Sequence, residues 1–368
     1  MLLKRINNIK NRCLFLILIF FATIFMKAAN NPEKIIGVKA YKLQNDLSSS
    51  MQELKSVGIN TIFAGLELND RPNFRNIANK MGVNRFVIIP IFFDSDTLTK
   101  NENLFAITNE GKKASADWLK FVCPSRKGYR QDKIEFIKEI IQETNPAGIS
   151  LDFIRHFVFW EKVYPGHTIR SMPSTCFCDS CMKYFQRDNN INIPKSIDAP
   201  QKYNRWLKRN CYDTWVEWRC ELITTMVTEI VMAIRKINPN ILVNIHTLPW
   251  RQNDYNGALK KIAGQDIKSL SRYVDFISPM TYTHMIKRTP QWISAVLEES
   301  HSISEARIIP SIQVSEVYRK ETLGTGEFAK MYQSALGNNS SGIVFWSWEM
   351  LLHSPEKLKI IKNHSPGW

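Results

Sequence analysis

The chain is 368 residues long, 44% hydrophobic and 23% charged, with a formal net charge of +15. That balance is typical of a globular protein and argues against a disordered chain, while the length suits one large α/β barrel or two ordinary domains. Lysine and arginine are scattered with no run of four, which argues against nucleic acid as a partner, because such a footprint concentrates charge on one element.

Lys4, Arg5, Lys10 and Arg12 precede an apolar run from Cys13 to Phe25, interrupted only by Thr23. This is the layout of a secretory signal, and the run is short for a membrane span. Residues 1–29 are therefore read as a signal peptide or an N-terminal anchor, and the chain is expected to be exported, periplasmic or extracellular, touching membrane only if the leader stays uncleaved. The leader holds five of the basic residues and no acid, so residues 30–368 keep +10 of the +15. A basic chain of this kind suits an anionic membrane surface or an acidic glycan.

Beyond the leader, short apolar runs alternate with amphipathic stretches. Ile35 to Ala40 predicts a first strand and is followed by a helix through Met51 and Leu54 to Val57. Thr61 to Ala64 is the second strand, with a helix around Phe74 to Met81, and Arg85 to Ile91 is the third. A long loop leads to Cys123 and to a helix from Gln131 to Thr144. The fourth strand, Gly148 to Asp152, ends in a carboxylate where a core strand should stop. Residues 156–199, with several prolines and three cysteines, read as an inserted loop, and one very long helix is expected from Pro200 to Ile237. Ile241 to Ile245, Asp275 to Met280, Arg307 to Gln313 and Gly342 to Trp346 are the remaining strands, with helices at 291–303, 328–336 and 355–361. Eight strand-helix units in strict alternation predict a single-domain (β/α)₈ TIM barrel over residues 30–368, with a cysteine-containing insertion after strand four.

A barrel gathers the residues that follow its strands on one face. Those residues include Asp94, Asp152, Arg155, His246, Tyr282, Gln313, Glu316, Trp346, Trp348 and Glu349. The set is rich in carboxylates and aromatics. Aromatic faces suit the C–H faces of pyranose rings, and glycoside hydrolysis needs one protonated and one ionised carboxyl. Asp152 is the expected essential carboxylate, with Glu349 as its partner and Glu316 in reserve. Arg155, His246, Tyr282 and Gln313 are expected to orient sugar hydroxyls, and Trp346 and Trp348 to stack on the ring. No organic cofactor is expected, and the oligomeric state is not encoded in any motif.

Six cysteines remain after the leader. Cys176-Phe177-Cys178-Asp179-Ser180-Cys181 offers three thiolates in a tight turn, and Cys123 from the preceding loop completes a tetrahedral set for a closed, structural zinc. A disulfide between two of them is the alternative that export permits. Cys211 and Cys220 are expected on opposite faces of one helix, as buried free thiols.

The strand-four sequence Leu151-Asp152-Phe153-Ile154-Arg155, the Cys123-Pro124 pair and the later cysteine cluster resemble the glycosyl-hydrolase-like barrel proteins of bacteria. The cysteine arrangement is also similar to the structural zinc site of family 42 beta-galactosidases. Ser278 to Tyr282 and Val344 to Trp346 are similar to strands six and eight of such barrels. Family 42 enzymes end strand four with Asn-Glu, where this chain has Leu151-Asp152, so that family's acid/base assignment does not transfer. The expectation is an exported glycoside hydrolase acting on a polysaccharide or oligosaccharide. Its rivals are a non-catalytic glycan-binding barrel, a metal-dependent carbohydrate deacetylase using Asp94, Asp152 and His246, and a basic surface protein for nucleic acid or lipid.

Overall fold

The structure is a computed structural model, and it describes residues 34–42, 46–337 and 339–364. The expected leader, residues 1–29, lies outside the described residues.

Eight barrel strands follow one another along the chain: β1 (Ile35–Ala40), β2 (Thr61–Ala64), β3 (Asn84–Pro90), β4 (Gly148–Asp152), β5 (Leu242–Thr247), β6 (Phe276–Pro279), β7 in two pieces (Arg307–Ile308 and Ser311–Gln313) and β8 (Gly342–Trp346). Each pairs in parallel with its sequence neighbours, and β8 pairs with β1 from Ile35↔Gly342 to Lys39↔Trp346, closing the ring. The gap in β7 falls at Pro310, whose ring nitrogen cannot donate to a ladder. The barrel stays closed across the gap, because Ile309 N donates to Ile277 O at 2.9 Å and Val344 N to Pro310 O at 2.9 Å. All residues of β1, β2 and β4 are buried, as expected of parallel strands covered on both faces.

Side chains alternate across a strand, so every second residue enters the barrel, where three layers form. The bottom layer is apolar and includes Ile35, Phe63, Phe86, Phe276, Ile309 and Val344. Glycines make room for its rings: a Cβ on Gly37 would lie 2.6 Å from the Phe63 ring, and one on Gly148 would lie 2.4 Å from the Phe86 ring and 2.7 Å from Leu242 O. Above it lies a hydroxyl and amide layer, with Asn244 Nδ2 donating to Ser150 Oγ (2.8 Å) and His246 Nε2 bonded to the same hydroxyl (3.0 Å). The top layer, at the strands' carboxyl ends, carries Lys39, Asp152 and Trp346.

Two expected elements differ. The insertion after β4 contains a helix, Asp179–Asn189, ending at Asn190 in the left-handed conformation (φ 53°), a common C-cap geometry. The single long helix is broken at Cys211 into Pro200–Asn210 and Tyr212–Arg235. Cys211 is therefore a partly exposed junction residue and not a buried one, while Cys220 is buried. The insertion packs on the longer helix through aromatic contacts, Phe185 to Trp215 (5.0 Å between centroids) and Phe185 to Trp218 (5.6 Å).

Candidate active site

At the carboxyl end of the barrel a cavity of about 410 Å³ is lined by residues that include Lys39, Asp152, Arg155, Glu161, Tyr282 and Trp346. Position along the strands explains the first two, since Lys39 pairs with Trp346 across β1 and β8 and Asp152 is the last residue of β4. Phe153 then takes a left-handed backbone (φ 50°), and its N–H turns back to Asp152 Oδ1 at 2.8 Å. A positive φ at a bulky residue is a strained conformation of the kind that gathers at functional sites.

Asp152 is buried, which by itself would raise its carboxyl. His246, Lys39, the Phe153 N–H and Arg155 together outweigh that and hold it below the ordinary aspartate value. His246 is pushed down to about 3 by burial and by Lys39, so near neutrality the imidazole is uncharged. The charges that keep Asp152 ionised there are those of Lys39 and Arg155. Burial lowers both cations, Arg155 to about 10, which leaves the guanidinium charged at neutral pH.

The second carboxyl of the cavity is Glu161, in the short 3₁₀ turn Trp160–Lys162 of the insertion. Burial raises it to about 7, against the opposing pull of Arg155 and with the nearby Asp152 charge adding to the rise. One of its oxygens, Oε2, is buried without a hydrogen-bond partner. Two carboxyls lining one cavity are thus driven apart, one toward the ionised and one toward the protonated form, the pattern by which acid and base roles are divided at a single site.

Aromatic rings surround them. Tyr282 stacks on Trp346 (centroids 4.6 Å apart, 23° between planes) and lies 5.9 Å from Trp160. Its hydroxyl receives a hydrogen bond from Lys39 Nζ (3.3 Å) and is bonded to Ser311 Oγ (3.1 Å). At the rim, half-exposed Trp118 donates its indole N–H to Tyr318 OH (2.5 Å) and meets Phe153 edge-on at 6.0 Å.

The cavity therefore gathers Asp152, Arg155, Tyr282 and Trp346 from the residues expected by sequence, and adds Lys39, Glu161, Trp118 and Trp160, which sequence reasoning missed. The remaining expected residues are placed elsewhere. Glu349 lies in the first turn of the short helix Trp348–Leu352, and its Oε1 accepts the backbone N–H groups of Tyr41 and Lys42, both at 2.6 Å. Glu316 is exposed, accepting from Ser315 Oγ (3.3 Å) and Leu323 N (3.5 Å). Gln313 ties β7 to the loop after β6, accepting from Met285 N and donating to Ser315 O, both at 2.8 Å. His246 sits in the layer below the cavity, and Trp348 is fully buried beside it in sequence to Glu349. Arg155 forms no ion pair with Asp152; its Nη1 donates to the carbonyls of His156 (3.2 Å) and Val158 (2.9 Å).

Cys123, Cys176, Cys178 and Cys181 are all buried, with sulfurs within 4.8 Å of one another. The thiols are free, with Cys123 Sγ 3.3 Å from Cys181 and 3.7 Å from Cys178. A disulfide requires about 2.05 Å, whereas a tetrahedral zinc with bonds of about 2.3 Å holds its sulfurs roughly 3.8 Å apart. The donor set fits a metal of that kind. Ser125 Oγ bonds both Cys123 (3.1 Å) and Cys181 (3.2 Å), and Ile107 N donates to Cys176 Sγ (3.2 Å), supplying outer partners. Among the described residues no other group of metal-ligating side chains converges. Asp94, offered by sequence as a third metal ligand with Asp152 and His246, is engaged with Lys133 (2.9 Å), Tyr129 (3.1 Å) and Thr97 N (3.0 Å).

No family model matches the chain, and no curated protein matches it in sequence. Solved structures do resemble it. The glycoside hydrolase domain of PgaB (BpsB) from Bordetella bronchiseptica matches with a TM-score of 0.64 at 10% identity, over 89% of this chain and 98% of that one. A catalytic mutant of Gan42B, a GH42 beta-galactosidase from G. stearothermophilus, matches with 0.62 at 12% identity, over 91% of this chain and 57% of that one. The beta-galactosidase of the psychrophilic Marinomonas ef1 matches with 0.61 at 8% identity, over 85% and 54%. The chain spans about half the length of these beta-galactosidases. At such identities the likeness shows the fold alone, a TIM barrel of the kind found in glycoside hydrolases; the four-cysteine cluster is observed in this chain itself.

Proposed function

We propose that the chain is an exported glycoside hydrolase in which Asp152 acts ionised and Glu161 supplies the proton. The observation that carries this reading is the pair of buried carboxyls lining one aromatic cavity with opposite shifts. Glu161 protonates the glycosidic oxygen as the bond to the anomeric carbon breaks. Asp152, held ionised by Lys39 and Arg155, either attacks that carbon or removes a proton from the attacking water, according to the separation of the two carboxyls. Trp346 and the rim ring Trp118 offer apolar faces to the sugar ring, backed by the buried Tyr282 and Trp160, and Lys39 and Tyr282 supply polar atoms to the same cavity. The carbohydrate-hydrolysing neighbours support the reaction class, and the leader read from the sequence supports export.

The four cysteines are assigned to a structural zinc. None of them lines the cavity, and a closed set of four thiolates leaves no position for water. The metal's contribution is then to hold the insertion that carries Glu161.

The test is cleavage of a broad panel of oligosaccharides and polysaccharides by the wild type and by Asp152→Asn. The wild type should cleave at least one, and the variant, with unchanged thermal unfolding, should lose about 10³-fold or more of that rate. Binding without cleavage by the wild type would put a glycan-binding barrel in its place.

A further inference from the structure

We propose that the substrate is an anionic glycan, with Arg155 as the receptor for its carboxylate or sulfate inside the cavity and a basic cleft beside it for neighbouring acidic units. This rests on the glycosidase reading and names its substrate class. Arg155 is 1% exposed and lines the cavity. Its guanidinium is fixed over the rings of Phe121 (4.9 Å) and Phe153 (5.6 Å), and Nη1 is anchored on two backbone carbonyls. Nη2 has no hydrogen-bond partner, and the group makes no ion pair among the described residues. A buried guanidinium with an unfilled donor is costly to leave unpaired, and its planar fork matches an oxyanion.

Lys39 is a second cation on the same cavity, and Asp152 and Glu161 are the acids that face it. With Glu161 neutral below about pH 7, the wall carries more positive than negative charge, a poor match to a neutral sugar alone. Across the Phe159–Lys162 segment lies a cleft of about 400 Å³ lined by Lys112, Lys113, Lys162, His167 and Arg170, with Glu110. Lys112, Lys113 and Lys162 are paired with exposed acids, Glu110, Glu102 and Asp117, pairs weak enough for a polyanion to displace. Arg170 is exposed and has no partner among the described residues. The excess of +10 outside the leader further favours a polyanion at low salt.

Binding is measured by calorimetry on the full chain carrying Asp152→Asn, so that nothing is cut. The probes are polygalacturonate, hyaluronan and dextran sulfate, each against a neutral counterpart: carboxyl-reduced polygalacturonate, carboxyl-reduced hyaluronan and dextran. At least one acidic polymer should bind about tenfold or more tightly than its neutral counterpart, with the preference shrinking as salt rises. Polygalacturonate or hyaluronan preferred identifies a carboxylate receptor, and dextran sulfate a sulfate receptor. Added Arg155→Gln should abolish the preference. Because that variant can also disturb the carbonyls it anchors, Lys112→Ser with Arg170→Ser, on the surface, should lower acidic-polymer affinity about threefold or more at unchanged thermal unfolding. Acidic polymers preferred but left intact by the wild type would uphold anion recognition and remove the hydrolase reading. Neutral polymers bound as tightly as acidic ones, or no binding of any acidic probe, would overturn the inference and leave the glycosidase reading to stand on the cleavage panel.

Discussion

Glu161→Gln tests the protonation assigned to this residue through stability, independently of any substrate. Raising the carboxyl from 4.5 to about 7 means that the folded chain resists its ionisation by about 3 kcal/mol, at about 1.4 kcal/mol per pH unit. The fold binds this proton more tightly than the unfolded chain does. Its contribution is therefore complete below the unfolded value of 4.5, declines as the pH rises, and is lost above about 7. Glutamine keeps the shape and never ionises. Urea unfolding of both proteins at a series of pH values cancels every other titrating group in the difference between them. The stability of Glu161→Gln relative to the wild type should grow by about 3 kcal/mol between pH 4.5 and 9. A constant difference over that range would mean that Glu161 ionises normally, and the reasoning that makes it the acid would fail.

Glu349→Gln keeps one acceptor for the Tyr41 and Lys42 N–H groups and should retain cleavage within about tenfold of wild type, whereas Asp152→Asn should lose about 10³-fold or more; comparable losses would return Glu349 to the chemistry. Purified chain should carry one zinc by elemental analysis, and Cys178→Ser should lose the metal and lower the melting temperature, since the cluster joins the Cys123 loop to the insertion; full stability in a metal-free protein would refute the assignment. Gly148→Ala, whose methyl would meet the Phe86 ring and Leu242 O, should destabilise by about 1–3 kcal/mol in urea unfolding, and a neutral effect would contradict the packing of the barrel floor.

The strands were legible because parallel strands buried on both faces read as short Val/Ile runs; β1, β2, β4 and β8 have the bounds the sequence implies. The helix at Asp179–Asn189 was hidden by the prolines and cysteines around it, and the break at Cys211 carries neither glycine nor proline. At the site, Asp152 was legible as a charge ending an apolar strand. Lys39 was passed over because it lies inside an apolar run, although only a strand's top inner position explains a lysine there. Glu161 was lost in a segment read as loop, yet one acid directly after Phe157-Val158-Phe159-Trp160 is a signal that a buried carboxyl follows. Glu316 and Glu349 show the limit of the rule that strand ends face the ligand. It places a residue near the mouth but does not aim its side chain, and Glu349 is turned by two backbone N–H groups toward β1.

The central claim, that Asp152 and Glu161 divide base and acid roles, is tested most directly by the pH dependence of kcat/KM on a cleaved glycan. The profile should be bell-shaped, with an acidic limb below the ordinary aspartate range, where Asp152 gains its proton, and a basic limb near 7, where Glu161 loses its own. In Glu161→Gln the basic limb should vanish together with most activity on the glycan, while an aryl glycoside of the same sugar, whose leaving group needs no proton, should still be cleaved. A basic limb near 7 that persists in Glu161→Gln, or equal losses on both substrates, would contradict the account.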